Sequence, residues 1–201
     1  MSTDVLATRF QRHFLDSIAA KQATCDAAMA QLCSAARQLA QTLDSGGRVL
    51  ACGNGGSAAD AQHFAAELIG RFERERRPLA GIALTTDSSA LTAIGNDYGF
   101  DQVFAKQVAA LARPGDCLIG ISTSGNSGNV VKAVEAMHSA GGSVVALTGR
   151  DGGVLAKLLR GSDTELRAAS RVTARIQEVH ILFLHCLCDG LDELLFPAPT
   201  P

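Results

Sequence analysis

One stretch of the chain, RVLACGNGGSAADAQHFAAELI at residues 48–69, restricts the possible folds more than any other. It begins with an apolar run at residues 49–52, which has the length and composition of a buried strand. The glycine-rich residues 53–57 suit neither strand nor helix and predict a tight loop. Helix formers follow from about Ala58 to Ile69. Such a junction presents free backbone N–H groups and the positive end of a helix to an anion.

Two polar side chains inside that helix indicate chemistry just behind the loop. His63 and Glu67 are four residues apart, so both project from one face of the helix, one turn from each other. Each feature also has a simpler explanation, because tight βα loops are common and an i,i+4 pair is often only a solvated contact worth about 0.2–0.5 kcal/mol. The combination is more informative, since it places a base and a candidate metal ligand beside a loop suited to a sugar or a phosphate.

Length, charge and hydropathy exclude several classes of protein. The 201 residues are 47% hydrophobic, which suits one domain with a sizeable core. The net charge is −2 without a long basic run, which argues against direct nucleic-acid binding. The mixed charges of residues 71–77, RFERERR, predict a solvated loop. No apolar stretch reaches the ~18 residues that span a bilayer, and the N-terminus lacks a signal-peptide profile. We therefore expect a cytoplasmic protein without a membrane partner.

The remaining apolar runs alternate with helical patterns. Further strands are predicted at residues 79–84, 117–121, 143–147 and 163–166. The alternation predicts an α/β fold, a doubly wound parallel sheet flanked by helices. We predict a single domain with three parts: N-terminal helices (two, or one long bent helix) in residues 1–46, the α/β core in 47–196 and a proline-containing tail in 197–201. Between the second and third strands, the sequence predicts a turn at residues 95–99 with a free carboxylate, and then one amphipathic helix at 100–111.

A second loop suited to an anion follows the strand at residues 117–121. Residues 122–129, STSGNSGN, hold four hydroxyl groups within six residues and precede a predicted helix. Hydroxyls and helix N-terminal amides are what a phosphate monoester needs where no lysine or arginine is at hand. An ordinary serine- and asparagine-rich turn is the alternative. Phosphate binding is favoured because the loop repeats the architecture of the first junction, and both belong to the carboxyl edge of the sheet.

The last predicted helix, residues 173–196, carries polar residues on an apolar pattern. They are Gln177, Glu178, His180 and His185. A histidine on an apolar helix is commonly a hydrogen-bonded core residue, but burying several polar groups costs free energy unless something engages them. Both interpretations stay open on the residues alone.

Together these motifs resemble those of the bacterial phosphoheptose isomerases (sedoheptulose 7-phosphate isomerases) of the sugar-isomerase (SIS) domain family. The likeness extends from about Gly47 to the C-terminal helix and is carried, in one order, by CGNGGSAADAQHFAAEL, LTAIGNDYGF, GISTSGNS, LTGRDGG and TARIQEVHI. The resemblance implies an SIS-type, flavodoxin-like sheet. It also implies isomerisation of D-sedoheptulose 7-phosphate to D-glycero-D-manno-heptose 7-phosphate, a step towards the heptose of the lipopolysaccharide core.

The resemblance also implies a site, residue by residue. The metal ligands, for one zinc ion per subunit, are His63, Glu67, Gln177 and His185. The substrate contacts are Asn54, Gly55, Gly56, Ser57, Glu67, Asn96, Asp97 and Gln177, with Ser122, Thr123, Ser124 and Ser127 for the phosphate. The chemistry is assigned to Glu67 and His185. Members of the family are homotetramers whose active sites lie between subunits.

The implied chemistry is consistent with the residue types. An aldose–ketose exchange needs a proton removed beside a carbonyl and returned at the neighbouring carbon, and a carboxylate and an imidazole suit those opposite roles near neutral pH. We expect Glu67 to move the carbon-bound proton and His185 the hydroxyl protons, or the reverse. Gln177 and His185 are ~12 Å apart along a straight helix. One metal can bind both only if both side chains reach inward or different subunits contribute, and His180 is an alternative ligand.

The chain also resembles a non-enzymatic branch of the same family, a protein that binds the replication initiator in some bacteria and promotes initiation at the origin. QRHFLDSI, AKQVAAL and CLCDGLDELLFP carry that likeness. The alternative function is therefore a homotetrameric interaction protein with a retained sugar-phosphate fold. Glu67 and His185 favour the enzyme, because polar groups on apolar helices are costly unless they are used.

Overall fold

Five parallel strands form one sheet in a computed structural model that describes residues 3–197. The strands are β1 (Val49–Gly53), β2 (Gly81–Ala83), β3 (Cys117–Ile121), β4 (Ser143–Thr148) and β5 (Thr164–Arg167). Their order across the sheet is β2-β1-β3-β4-β5, which confirms the predicted α/β fold with a flavodoxin-like parallel sheet. The strand order reverses between β1 and β3, so the loops that leave these two strands border a common crevice at the carboxyl edge.

Helices cover both faces of this sheet. They are α1 (Thr3–Asp44), α2 (Gly56–Ile69), α3 (Ser88–Tyr98), α4 (Ala105–Leu111), α5 (Gly128–Ser139), α6 (Gly153–Leu158) and α7 (Thr173–Leu195). The N-terminal segment is a single helix of 42 residues rather than two. Among the described helices, none combines the length and the apolarity that crossing a membrane requires.

Two hydrophobic layers separate the helices from the sheet. Alternate strand residues face opposite sides, so Val49 and Ala51 pack with α1, α2 and α7, whereas Leu50 and Cys52 pack with α4, α5 and α6. The two helices that carry the predicted catalytic residues, α2 and α7, therefore share one layer and lie against each other. This shared layer brings together side chains that are more than 100 positions apart in the sequence.

The turn predicted at residues 95–99 is wrong. Residues 95–98 form the last turn of α3, which begins after Asp87, whose carboxylate accepts a hydrogen bond from the Ala90 amide at 2.9 Å. The helix ends at Gly99, which has a φ of +88° that favours glycine. The single helix predicted at residues 100–111 is also wrong, because a 3₁₀ turn at Phe100–Gln102 precedes α4. The capping of α3 at both ends outweighs the turn-forming character of Asn96 and Asp97.

Candidate active site

The two predicted ligand loops meet at the switch point of the sheet. They follow the neighbouring strands β1 and β3, which pair in parallel over their full length. The Asn54 and Asn129 side chains join the loops through two reciprocal amide–amide hydrogen bonds of 2.8 Å each. Asn129 is 2% exposed, so this link is shielded from water. Asn54, a predicted substrate contact, thus has its side chain engaged by a residue that the sequence did not single out.

The glycine loop after β1 is shaped by close contacts. Gly55 has a φ of +57°, a conformation that side chains rarely adopt, and immediately precedes α2. The space that a side chain at Gly56 would need is filled by the amide of Gln177 from α7. Ser57 is buried in the first turn of α2. Gln177 therefore lies at the start of α2, where the sequence predicts a substrate contact.

A cluster of three predicted catalytic or metal-binding side chains lies further along the same two helices. The Nε2 atoms of His63 and His185 are 3.0 Å apart, and His63 Nε2 is 3.3 Å from Glu67 Oε1. The His63 side chain is 43% exposed and that of Glu67 is 22% exposed, so a ligand can reach both. Gln177 contacts Gly56 at the start of α2. Gly56 precedes His63 by seven residues, which is about 10 Å of helix rise. A single chain thus brings together three of the four predicted metal ligands and holds Gln177 apart.

His180 is a core residue in this structure and does not take the place of Gln177 as a metal ligand. It is fully buried, and its Nε2 lies 2.8 Å from the carbonyl oxygen of Thr148 at the end of β4. Because a carbonyl only accepts, this nitrogen carries the proton and donates it. Burial lowers the pKa of His180 to about 4, although the hydrogen bond to Thr148 raises it in part. The alternative ligand considered from the sequence is therefore wrong for this chain.

The predicted phosphate loop has its polar groups at the amino end of α5. The hydroxyls of Ser122 and Ser127 are 2.8 Å apart, and Ser127 immediately precedes the helix without capping it through its side chain in the described structure. Thr123 and Ser124 are half-buried beside them. The amides of Val130 and Val131 donate to the Ser127 carbonyl, whereas those of Gly128 and Asn129 have no acceptor among the described residues and can bind an anion. The loop has the donors that the sequence predicts for a phosphate group.

Asn96 and Asp97 make no hydrogen bond to the other predicted site residues in the described part of the chain. Both are exposed in the last turn of α3, and the Asn96 amide donates to the Asp97 carboxylate at 2.8 Å. Among residues 3–197, no hydrogen bond joins either of them to the cluster or to the two loops.

Three other residues near the cluster were missed by sequence reasoning. Asp60 lies one turn before His63; burial raises its pKa to about 6, while the charge of His63 acts in the opposite direction. The Phe72 ring stacks on His185 with centroids 5.6 Å apart. The solvated loop predicted at residues 71–77 is wrong for Arg76, whose side chain is only 1% exposed. Asp60 could have been found from the sequence, because it lies three residues before His63 and therefore on the same face of the helix. No sequence signal identified Phe72 or Arg76.

The described residues form a partly exposed acid–base cluster on α2 and α7, and a loop suited to an anion at the start of α5. A carboxylate and two imidazoles can exchange protons with a ligand that reaches the cluster. The hydroxyls and amides at α5 can hold a phosphate at the ligand's other end. The site therefore suits proton transfer within a small phosphorylated molecule.

The chain is similar to known proteins over most of its length. A profile of the SIS domain matches residues 13–149. The phosphoheptose isomerase of Shewanella loihica is 56% identical over 94% of this chain and 96% of its own length, and that of Neisseria meningitidis is 58% identical over the same shares. The solved structure of a phosphoheptose isomerase from Neisseria gonorrhoeae superposes with a TM-score of 0.90 at 55% identity, covering 94% of this chain and 99% of that one. This chain belongs to the SIS-domain family and, within it, to the phosphoheptose isomerases.

Proposed function

We propose that this enzyme converts D-sedoheptulose 7-phosphate into D-glycero-D-manno-heptose 7-phosphate, a step towards the heptose of the lipopolysaccharide core. The observation that supports this proposal most directly is the convergence of His63, Glu67 and His185, from α2 and α7, into one partly exposed cluster. An aldose–ketose isomerase needs an acid–base couple at the first two carbons and a phosphate holder at the far end of the sugar. The cluster and the loop before α5 offer these two functions from different elements.

The proton transfers are assigned to Glu67 and His185. The Glu67 carboxylate removes the proton from the carbon beside the carbonyl and returns it at the neighbouring carbon, which a carboxylate can do without leaving the site. His185 moves the hydroxyl protons, a role that an imidazole fills near neutral pH. The reverse assignment uses the same two groups. Ser122, Ser127 and the first amides of α5 hold the phosphate and so fix which carbons face the couple.

One zinc ion per subunit is part of this proposal. His63, Glu67 and His185 offer two imidazole nitrogens and a carboxylate, which are ligand types of catalytic zinc. The 3.0 Å between the two Nε2 atoms is close to the ~3.3 Å between two ligands of tetrahedral zinc. Within residues 3–197, however, no group of three or more His, Cys, Asp or Glu side chains has the arrangement of a finished metal site. Side chains of this length can adjust their positions when a metal binds. Bound zinc would polarise the substrate carbonyl.

A homotetramer with active sites between subunits is also part of the proposal. Leu6, Phe10, Phe14 and Ile18 recur at four-residue intervals on α1 and are between 57% and 72% exposed. An apolar stripe of this kind is typical of a protein–protein interface. A second subunit could also supply the Asn96–Asp97 pair, which makes no hydrogen bond to the site of its own chain within residues 3–197. Light scattering of the purified protein tests the tetramer, and a monomer at micromolar concentration would contradict it. A cytoplasmic location follows from the same role, because the substrate is a charged sugar phosphate.

The proposed reaction is tested by incubating the purified protein with sedoheptulose 7-phosphate and measuring the aldoheptose phosphate formed. We expect turnover, its loss with a chelator and its recovery with added zinc. Glu67→Gln should lower kcat by about 10²–10⁴-fold with unchanged circular dichroism. The control Glu75→Gln makes the same chemical change at a side chain that is 91% exposed and should leave kcat unchanged. A wild-type protein without turnover contradicts the proposed reaction, whereas an active Glu67→Gln variant contradicts only the role of Glu67.

A further inference from the structure

A buried ion pair lies behind the acid–base cluster. Arg76, in the segment between α2 and β2, places its Nε 2.7 Å from Asp192 Oδ1 on α7. Both side chains are only 1% exposed. A pair this deeply buried loses the hydration of two charges, so it needs further hydrogen bonds to be tolerated.

Those further hydrogen bonds go to the backbone of the catalytic helix. Arg76 Nη2 donates to the carbonyl of Glu67 at 2.7 Å, and Nη1 donates to the carbonyl of Leu68 at 2.9 Å. Both carbonyls belong to the last turn of α2, where a helix has no partners of its own for its C=O groups. The guanidinium also complements the negative end of the helix dipole. Arg76 therefore holds the residue whose side chain is the proposed base.

Asp192, the other member of the pair, lies on the same helix as His185. Asp192 follows His185 by seven residues, or two turns of α7, so the two side chains project from the same side of that helix. The same segment also contacts His185 directly, through the stacked ring of Phe72. Phe196 covers the guanidinium of Arg76, with the ring centroid 5.9 Å away. One short segment therefore contacts α2 at Glu67 and α7 at His185 and Asp192.

We propose that the Arg76–Asp192 pair is a positioning device for catalysis, which fixes α2 against α7 so that Glu67 and His185 act on the same substrate. The inference rests on the proposed isomerisation. Stability alone does not explain the pair, because apolar residues of similar volume in place of a buried ion pair are often neutral or stabilising. A guanidinium fixed by three hydrogen bonds, one to Asp192 and two to the end of α2, serves positioning better, since a displacement of about 1 Å at a reacting group can cost 10²-fold in rate.

The first test compares two pairs on the same two elements. Arg74 and Glu193 are neighbours of Arg76 and Asp192 in the sequence and form an ion pair of 2.6 Å, but their side chains are 38% and 63% exposed. Arg76→Lys keeps the charge and loses the forked geometry, and we expect kcat to fall about 10- to 100-fold. KM should stay within about twofold, because the phosphate loop before α5 is not touched. The control Arg74→Lys should leave both constants within about twofold of wild type.

The second test separates positioning from stability. Asp192→Asn leaves a buried guanidinium without its counter-charge and should lower both the melting temperature and kcat. The double variant Arg76→Met/Asp192→Leu removes both charges and should recover the melting temperature but not kcat. The control Glu193→Gln makes the same change as Asp192→Asn at an exposed carboxylate and should affect neither.

Two results would overturn the inference. One is an Arg76→Lys variant that melts like wild type and keeps the wild-type kcat. The other is a double variant whose kcat recovers together with its melting temperature, because the pair would then serve stability alone. Both results require an active wild type, so they are distinct from a failure of the proposed reaction, in which the wild type itself shows no turnover.

Discussion

Acid should destabilise this fold through one buried histidine. His180 has no exposed surface, and its Nε2–H is used by the carbonyl of Thr148. Its Nδ1 is buried without a hydrogen-bond partner in the described part of the chain. A proton added to Nδ1 would therefore create a charge with neither water nor an acceptor beside it. For this reason the folded protein resists protonation of His180, whereas the unfolded chain does not.

The size of the effect follows from the two pKa values. Burial lowers the pKa of His180 from 6.5 to about 4, so the unfolded chain binds more protons than the folded one between these values. The contribution of neutral His180 to the free energy of unfolding is therefore fully present above pH 6.5, and it is lost as the pH falls from 6.5 towards 4. Linkage gives a loss of about 2 kcal/mol between pH 7.5 and pH 5 and a limit of about 3 kcal/mol below pH 4. This is a large share of the 5–15 kcal/mol that is usual for a domain.

Urea denaturation of the wild type and of His180→Gln at pH 7.5 and pH 5 measures this contribution. Glutamine can still donate to the Thr148 carbonyl but does not titrate, so the variant should lose less stability on acidification, by about 2 kcal/mol. His13→Gln is the control, because His13 is exposed and its replacement should leave the pH dependence unchanged. If wild type and His180→Gln lose the same free energy over this range, His180 is not the buried neutral group described.

Three further substitutions test the loops and the catalytic helix. Asn129→Asp removes one of the two hydrogen bonds to Asn54 and adds a negative charge near the phosphate loop, so KM should rise about tenfold in steady-state kinetics. Gly56→Ala displaces the Gln177 amide and should lower kcat/KM about tenfold, whereas Gly161→Ala, where a side chain meets nothing within 4 Å, should not. Asp60→Asn should raise stability at pH 7.5, because burial raises the pKa of this carboxyl from 3.8 to about 6 and disfavours its ionised form. That gain should shrink in denaturation experiments as the pH falls below about 6, because the carboxyl of the folded protein is then protonated and no longer a buried charge.

The fold was largely predictable because its signals are local. The apolar run before Gly53 and the run at residues 117–121 each form a fully buried strand where the sequence predicts one. Errors occurred where two local signals competed. Asn96 and Asp97 favour a turn by residue type, but the cap at Asp87 and the terminator at Gly99 extend the helix through them. The outcome depends on the whole helix rather than on a short window.

The candidate site was predictable only in part, because its contacts join distant segments. His63 and Glu67 are found from their spacing, since one helix fixes their geometry. The 3.0 Å approach of His63 to His185 depends on which two helices pack together, and periodicity gives the buried face of a helix without identifying its neighbour. Arg76 was missed for a related reason. In a run of mixed charges an arginine looks solvated, and only the fold shows that a buried Asp192 is opposite.

The packing of α2 beside α7 explains why the predicted ligands divide into two groups. The two helices run in the same direction, so the contacts between them follow the same order along both helices. Gln177 meets Gly56 at the first level, His185 meets His63 at the second, and Asp192 reaches the end of α2 through Arg76 at the third. Successive levels are eight and then seven residues apart on α7, and seven and then four or five residues apart on α2. These steps are close to whole helical turns, which keeps each contact on the facing sides. Between two helices of a hydrophobic layer, apolar contacts at these levels would cost less free energy than polar ones. Three polar levels in succession therefore indicate that the predicted substrate contact, the proposed proton transfer and the proposed helix placement depend on a single helix–helix contact.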